Sequence, residues 1–280
     1  MKIKIIIAAA LIAVLITAVV GCGQAYQPSD GPDITPIPPV SPNEPTDTDE
    51  PDVPVTGNPD DVDRPAMSNR YDVVLISTVD SLNVRSGKGS SYSSLGTLDK
   101  GDGIAKLGEA QDGWYPTVYR ERTAYVSAAY VREQRFAMGD DKTEKVVEEG
   151  KKLLGHPYVW GSQRYHWGNG NLNTAFKAGE FDCSALMQYI FYKGASVNLD
   201  LNTRTQVLQG KEVSRADLKR GDLMFFTNAS RYNKTGVERI GHVALYLGDN
   251  YILHTASDHA VIEPISATRW GYYIVSRDVL

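Results

Sequence analysis

The chain has 280 residues, of which 42% are hydrophobic, and it carries a formal net charge of −5. This length allows more than one folded domain, and the composition has no excess of basic residues that would indicate nucleic acid as a partner. With only two cysteines, the chain cannot hold a framework of several disulfide bridges.

The first 21 residues predict a signal peptide. Lys2 and Lys4 precede a run of sixteen uncharged residues, 5–20, that leads to Cys22. The run is shorter than the ~20 apolar residues of a membrane-spanning helix, although a short uncleaved anchor is the alternative. The segment resembles lipoprotein signal sequences. This resemblance implies cleavage before Cys22, acylation of its sulfur, and an exported, membrane-anchored protein that faces the cell wall at the cell surface or in the periplasm.

Residues 22–69 predict an extended, disordered tether. They hold eleven of the fourteen prolines and ten acidic residues, but only one basic residue, Arg64. Proline stiffness and charge repulsion keep such a segment open, and it has too few large apolar side chains to bury a core. Since most of the negative charge lies here, the rest of the chain is close to neutral and offers no basic surface for nucleic acid.

Residues 70–134 predict a small all-β barrel, because short apolar or alternating runs are separated by turn residues. The runs are VVLIST, SLNVRS, GIAKLGEA, WYPTVY and TAYVSAAYV. They resemble a bacterial SH3-type domain, which implies contact with the cell wall or support of the domain that follows. Four aromatic residues belong either to the core or to a ligand groove: Trp114, Tyr115, Tyr119 and Tyr125.

A second domain, residues 140–280, is predicted to place its helices before its strands. The run TEKVVEEGKKLLG predicts a first helix that is capped by Thr143 and ended by Gly155. Four later runs predict an antiparallel sheet: GDLMFF, HVALYLG, YILHTAS and GYYIVSR. About 140 residues are enough to bury a core of their own.

Cys183 is the candidate nucleophile of this domain. It follows Asp182, a typical N-cap, and precedes apolar residues at three- and four-residue steps between 186 and 191, which predicts an amphipathic helix. In the first turn, free N–H groups and the helix dipole favour a thiolate, so we predict a lowered pKa. The alternative is a buried structural cysteine. If Cys22 is acylated, no second thiol remains for a disulfide.

His242 and His254 lie in two strand patterns that predict one hairpin. A two-residue loop would place the two imidazoles on opposite faces of the hairpin. A three-residue loop over 248–250 avoids this, because it pairs Leu247 with Tyr251 and shifts the register by one residue. We therefore predict the three-residue loop.

In this register His254 sits opposite Ala244, and His242 becomes its diagonal neighbour on the same face, about 7 Å away. One imidazole can then take or hold the proton of the Cys183 thiol, and the other can fix the tautomer and direction of the first ring. The predicted geometry is that of a cysteine nucleophile with two supporting histidines.

Five ordered motifs resemble the NlpC-type (NlpC/p60) cysteine endopeptidases, papain-like enzymes that cut the stem peptides of bacterial peptidoglycan. They are HPYVWG, FDCSALMQYIF, LKRGDLMFF, GHVALYLGDN and YILHTAS. The resemblance implies an α+β papain-like catalytic domain with an antiparallel sheet. It also implies peptidoglycan or muropeptide fragments as partners, and hydrolysis of the γ-D-glutamyl-diamino acid bond through a thioester.

The resemblance further implies a role for each site residue. Cys183 would be the nucleophile, His242 the general base and then acid, and His254 the orienting member. Three residues would contact the substrate: Tyr158, which lines the site, and Asp182 and Ser184, which face its amino-terminal end. A free substrate amine could pair with Asp182. No cofactor or metal is required, although the cysteine and the two histidines could mimic a metal-ligand set.

The chain departs from the family pattern at 162–180, where an inserted loop separates the tyrosine motif from the nucleophile motif. The loop begins and ends near the thiol, so we predict that it forms part of the cleft wall. The alternative is a solvent loop without a role. Neither His166 in this loop nor Arg204 after it is assigned to the site.

Two other functions are compatible with the sequence. One is a wall-binding lipoprotein without catalysis, in which the second domain is only a scaffold; the intact cysteine and histidines argue against it. The other is a thiol amidase or acyltransferase that acts on a different amide or ester. The products distinguish these functions, because an endopeptidase frees a dipeptide whereas an amidase releases the whole peptide from the sugar.

Overall fold

The computed structural model describes residues 70–255 and 258–280. The predicted signal peptide, the predicted tether and Cys22 lie outside the described residues. Within the described ranges, no helix combines the length and the apolar character needed to cross a membrane. These residues all belong to one compact unit, so contacts between the two predicted domains can be read directly.

Seven short strands, separated by tight turns, form the first domain, and buried positions alternate with more exposed ones most clearly along the second and sixth of them. They are β1 (Tyr71–Ser77), β2 (Leu82–Arg85), β3 (Ser94–Leu98), β4 (Gly103–Ala105), β5 (Trp114–Tyr119), β6 (Arg122–Ser127) and β7 (Val131–Ala137). One sheet has the order β3-β2-β6-β5, while β1 pairs with both β7 and β4. The predicted all-β domain is confirmed, and its last strand runs past the predicted boundary at 134.

Of the four candidate aromatic residues in this domain, only Tyr119 belongs to the core, with 2% of its surface exposed. The other three are half-buried. The Tyr119 ring lies against Gly155 of the second domain, where a β-carbon would come within 2.1 Å of a ring atom. Gly155 also has a φ of +86°, so a larger residue is excluded both by space and by backbone conformation.

The described residues of the second domain form four α-helices and six strands. The helices are α1 (Asp141–Lys152), α2 (Cys183–Ala195), α3 (Thr203–Gln206) and α4 (Ala267–Gly271). The strands are β8 (Lys211–Val213), β9 (Leu223–Phe226), β10 (His242–Gly248), β11 (Tyr251–Thr255), β12 (Ala260–Pro264) and β13 (Tyr273–Asp278). All four predicted strands are present, and the α+β fold with an antiparallel sheet is confirmed.

Helix α1 begins earlier than predicted. Its cap is Asp140, whose carboxylate accepts a hydrogen bond of 2.8 Å from the Thr143 backbone N–H. The predicted cap at Thr143 is therefore wrong, because Asp140 is the stronger capping side chain and lies three residues upstream.

The two domains share one nine-stranded sheet with the order β7-β1-β4-β12-β11-β10-β9-β13-β8. They join where Gly103 of β4 pairs with Ile262 of β12. A β-carbon on Gly103 would lie 2.8 Å from Ile262 Cγ2 and 2.9 Å from Val74 Cγ1, so only glycine permits this approach.

A buried guanidinium also connects the domains. Arg220, just before β9, donates to Glu144 on α1 at 2.8 Å and to Asp72 on β1 at 2.7 Å. Lys151 on α1 is the second cation on Asp72, at 2.7 Å. Helix α2 packs against α1, β10 and β11, which brings its first turn to the sheet that carries the histidines.

Candidate active site

Cys183 is the first residue of α2, as predicted. Asp182 has an extended backbone and its carboxylate accepts a hydrogen bond of 2.8 Å from Ala185 N–H, which fixes the start of the helix. The sulfur lies against the backbone N–H groups of Ser184 and of Val243, the residue after His242. The helix start and the first histidine strand therefore meet at the thiol.

The environment of the thiol differs from the prediction. Burial, followed by the charge of the Asp182 carboxylate, raises the pKa of Cys183 to about 12, and the N–H groups of Val243 and Ser184 oppose this shift only in part. Only 8% of the residue is exposed. The predicted lowering by the helix dipole is wrong, because loss of solvation outweighs it in this packed site.

The two histidines are directly bonded, which confirms that they share a face. His242 Nε2 lies 2.9 Å from His254 Nδ1, with the rings near perpendicular at 79°. His254 is fully buried. In the described structure, no hydrogen bond joins either imidazole to the Cys183 sulfur. Because Nε2 of His242 is bonded to His254, Nδ1 is the ring nitrogen of His242 that remains for the thiol.

A β-bulge, not the predicted three-residue loop, produces this shared face. Gly248 pairs with Tyr251 across a two-residue turn, and Leu247 is the extra residue in β10. Both turn residues have positive φ, 47° at Asp249 and 65° at Asn250, as hairpin turns of this length require. The predicted pairing of Leu247 with Tyr251 is wrong, yet the bulge shifts the strand by the same one residue.

A fourth residue, Glu263 on β12, completes the chain of hydrogen bonds. Its Oε1 lies 2.9 Å from His254 Nε2 and 2.8 Å from Arg269 Nη2. Burial opposes ionisation of this carboxyl, but His254 and Arg269 together lower its pKa to about 2. The sequence did not indicate Glu263, because its contact with His254 depends on the pairing of β11 with the unpredicted strand β12.

These contacts fix both tautomers. Burial lowers the pKa of His254. Burial is also the main cause that lowers the pKa of His242 well below its usual value, so both rings are neutral at neutral pH. Ionised Glu263 can only accept, so His254 donates from Nε2 and accepts at Nδ1. His242 must then donate from Nε2, which leaves its lone pair on Nδ1.

Tyr158 lies near enough to Cys183 and Asp182 for their charges to affect its phenol. Its backbone bridges Phe181 and donates to the Asp258 carbonyl at 2.7 Å. Burial, and then the charges of Cys183 and Asp182, raise the pKa of the Tyr158 phenol to about 12. The phenol is therefore a neutral hydrogen-bond donor close to both groups.

The Asp182 carboxylate is fully engaged within the protein. Oδ1 accepts from Ala185 N–H and, at 2.9 Å, from the Ser184 hydroxyl. Oδ2 accepts from Arg164 Nη2 at 2.8 Å and from Gly161 N–H at 3.2 Å. Asp182 and Ser184 thus lie together at the start of α2. Arg164, which the sequence did not indicate as a site residue, binds both of them.

Residues 155–278 match the NlpC/P60 family, and residues 80–132 match the bacterial SH3 domain. The chain contains an NlpC/P60 domain. The predicted resemblance is confirmed for both domains.

Curated proteins similar to this chain include two from Bacillus subtilis. A gamma-DL-glutamyl hydrolase is 29% identical over 61% of this chain and 37% of its own length. A gamma-D-glutamyl-L-lysine dipeptidyl-peptidase is 30% identical over 56% of this chain and 45% of its own length. The peptidoglycan endopeptidase RipA of Mycolicibacterium smegmatis is 28% identical over 49% of this chain and 26% of its own length. The chain thus spans less than half the length of these relatives.

Two similar solved structures are also NlpC/P60 proteins. One from Bacillus cereus has a TM-score of 0.40 and 20% identity over 75% of this chain and 64% of that chain. One from Staphylococcus aureus has a TM-score of 0.41 and 27% identity over 51% of this chain and 43% of that chain.

The inserted loop of the NlpC/P60 domain packs on α2. Tyr165 contacts Tyr189 and Phe176 with ring centroids 5.0 and 5.2 Å apart. Helix α2 is consequently buried on all sides from Cys183 to Phe191, which corrects the predicted amphipathic helix. The loop therefore packs against α2 and is not a free solvent loop.

His166 of this loop is fully buried, but it lies away from the histidine pair of the NlpC/P60 domain. Its Nδ1 accepts from Gly168 N–H at 3.1 Å, and its ring packs on Tyr192. His166 therefore lies outside the candidate site.

Alkylation of Cys183 should report its protonation state. We expect iodoacetamide to modify the folded protein at pH 7 at least about tenfold more slowly than free N-acetylcysteine, because a raised pKa lowers the thiolate fraction tenfold per unit. The rate should rise continuously from pH 7 to 10. Mass spectrometry of the Cys183 peptide measures it, and a plateau of fast reaction at pH 5 to 6 would instead show a resting thiolate-imidazolium pair.

Proposed function

We propose that the NlpC/P60 domain is a cysteine peptidase that hydrolyses peptidoglycan stem peptides. Cys183 is the nucleophile, His242 the general base and acid, and His254 the orienting residue. The observation that carries this proposal is the hydrogen-bonded chain from Glu263 through His254 to His242. It leaves one lone pair on His242, the residue before Val243, whose N–H contacts the sulfur of the only described cysteine.

The acylation step uses a neutral thiol. As the Cys183 sulfur attacks the amide carbonyl carbon, its proton moves to His242 Nδ1 and a carbon–sulfur bond forms. The proton then passes to the leaving nitrogen as the carbon–nitrogen bond breaks, which gives a thioester and a free amine. His242 next removes a proton from water as the water oxygen attacks the thioester carbon. The carbon–sulfur bond then breaks, the peptide leaves with a new carboxyl group, and the proton on His242 returns to the sulfur.

The negative charge on the carbonyl oxygen needs nearby donors. The Cys183 backbone N–H lies in the first turn of α2, where helix N–H groups have no partner within the helix. The Tyr158 phenol, held neutral near the thiol, is a second donor. Removing one such donor typically raises a barrier of this kind by about 3 kcal/mol.

The bond we propose as substrate joins γ-D-glutamate to a diamino acid. Support comes from the names of the two Bacillus subtilis relatives, which both specify γ-glutamyl bonds. The signal-peptide interpretation adds export and attachment to a membrane through lipidated Cys22. The bacterial SH3 domain would support the catalytic domain, to which it is joined by the shared sheet and by Arg220.

Mass spectrometry of a muropeptide digest tests this function. Wild type should release a dipeptide and expose a new amino terminus on the diamino acid, and Cys183→Ala should leave the substrate intact. Release of the whole peptide from the sugar would assign an amidase instead. Binding of cell wall without any product would favour the non-catalytic lipoprotein.

A further inference from the structure

The inserted loop places Arg164 on the carboxylate next to the nucleophile. Arg164 Nη2 donates to Asp182 Oδ2 at 2.8 Å and to the Ser184 hydroxyl oxygen at 3.2 Å. Nη1 donates to the Ser162 carbonyl at 2.8 Å, and Nε donates to the Leu201 carbonyl. Only 16% of the Arg164 side chain and 8% of the Asp182 side chain are exposed. The guanidinium is therefore held by four groups and largely excluded from water.

The backbone that carries Arg164 is also fixed. Its carbonyl accepts a hydrogen bond of 3.0 Å from Asn173 Nδ2 across the loop. The next residue, Tyr165, packs between Phe176 and Tyr189. The position of the guanidinium thus depends on the packed core of the loop and not on one exposed side chain.

This pairing removes the anion that a substrate ammonium would need. Two carboxylate oxygens offer about four acceptor sites, and Asp182 already accepts from Gly161, Arg164, Ser184 and Ala185. An ammonium would have to displace the guanidinium, lose its charge-assisted hydrogen bond, and remain beside a second positive charge. An acylated nitrogen is neutral, so its binding requires neither the loss of that hydrogen bond nor the approach of two positive charges.

We propose that Arg164 makes the site next to Cys183 selective for peptides whose amino terminus is acylated. The inference rests on the proposed function and specifies its substrate class. A stem peptide that is still attached to the sugar has an acylated amino terminus, whereas a peptide that has been released from the sugar has a free ammonium. The enzyme would therefore act on attached stem peptides in preference to released ones.

A matched pair of synthetic peptides tests this selectivity. Both contain L-Ala-γ-D-Glu linked to a diamino acid, one with a free amino terminus and one N-acetylated. We expect wild type to cleave the acetylated peptide with a kcat/KM at least about tenfold higher, a difference of about 1.4 kcal/mol in transition-state binding. Arg164→Gln frees the Asp182 carboxylate and should shift the ratio toward the free amine by at least about tenfold.

Two variants serve as controls. Lys177→Gln removes a positive charge from an exposed position of the same loop and should leave the ratio unchanged. Arg164→Lys keeps the charge and should keep the wild-type preference. A merely structural role for Arg164 would lower kcat/KM for both peptides by the same factor and leave their ratio unchanged.

A measurement on wild type alone tests the inference even if the Arg164 variants do not fold. Raising the pH from 7 to 9 neutralises the α-amino group of the free peptide, whose pKa is about 8, so the preference for the acetylated peptide should narrow. Titration of the enzyme cancels in the ratio because both peptides meet the same site. A wild-type preference for the free amine, or a ratio that neither pH nor Arg164→Gln changes, overturns the inference. Cleavage of neither peptide overturns the proposed function itself.

Discussion

Cys183→Ala is expected to lower kcat/KM for stem-peptide cleavage by about 10⁴-fold or more, since the proposed thioester cannot form without the sulfur. The variant should still fold, because alanine is compatible with the first turn of α2 and the Asp182 cap is retained. Chromatographic release of the dipeptide measures activity, and thermal unfolding verifies the fold.

The same substitution at the other cysteine is the matched control. Cys22→Ala should retain activity on soluble muropeptides and lose only the predicted membrane attachment, which fractionation detects. Residual activity of Cys183→Ala above a hundredth of wild type would contradict a cysteine nucleophile.

Arg220→Met is expected to lower the free energy of unfolding by about 3 to 5 kcal/mol, the usual cost of removing one partner from a buried ionic cluster. The Arg220 side chain is 4% exposed and contacts the Glu144 carboxylate through both Nε and Nη2. Asp72 would keep Lys151, but Glu144 would lose its cation while only 7% of its side chain is exposed. Urea denaturation followed by fluorescence measures the change.

The neighbouring residue provides the control for this prediction. Lys219 pairs with Asp278 at 2.7 Å, but 64% of its side chain is exposed. Because water screens such a pair, Lys219→Met should change the free energy of unfolding by less than about 1 kcal/mol. Equal losses in the two variants would show that the Arg220 cluster does not join the domains energetically.

Local patterns were sufficient to predict the elements that carry the nucleophile and the histidines. Asp182 before an apolar run predicted the start of α2, and alternation predicted β10 and β11. The strand register near the histidines was also predicted correctly. His242 and His254 can share one face of the hairpin only if the pairing is shifted by one residue, and the prediction included that shift. The source of that shift could not be identified, since a loop residue and a bulge at Leu247 have the same effect on side-chain direction.

Contacts between distant segments were not predictable in this way. Arg164 meets Asp182 only after the inserted loop folds back on α2, and Glu263 meets His254 only through strand pairing. The predicted lowering of the Cys183 pKa was wrong for a related reason. A helix start can be recognised from neighbouring residues, whereas burial of Cys183 depends on the sheet and on the loop together.

The junction at Gly103 and Ile262 has a consequence for any attempt to shorten the protein. Ile262 immediately precedes Glu263, the carboxylate that anchors the histidine pair. A fragment that consists of the second domain alone would leave β12 as an edge strand, whose unpaired backbone N–H and C=O groups are exposed to water or to another chain. The first domain thus supports the strand that carries Glu263, and we expect its removal to weaken the hydrogen-bonded chain that leads to His242.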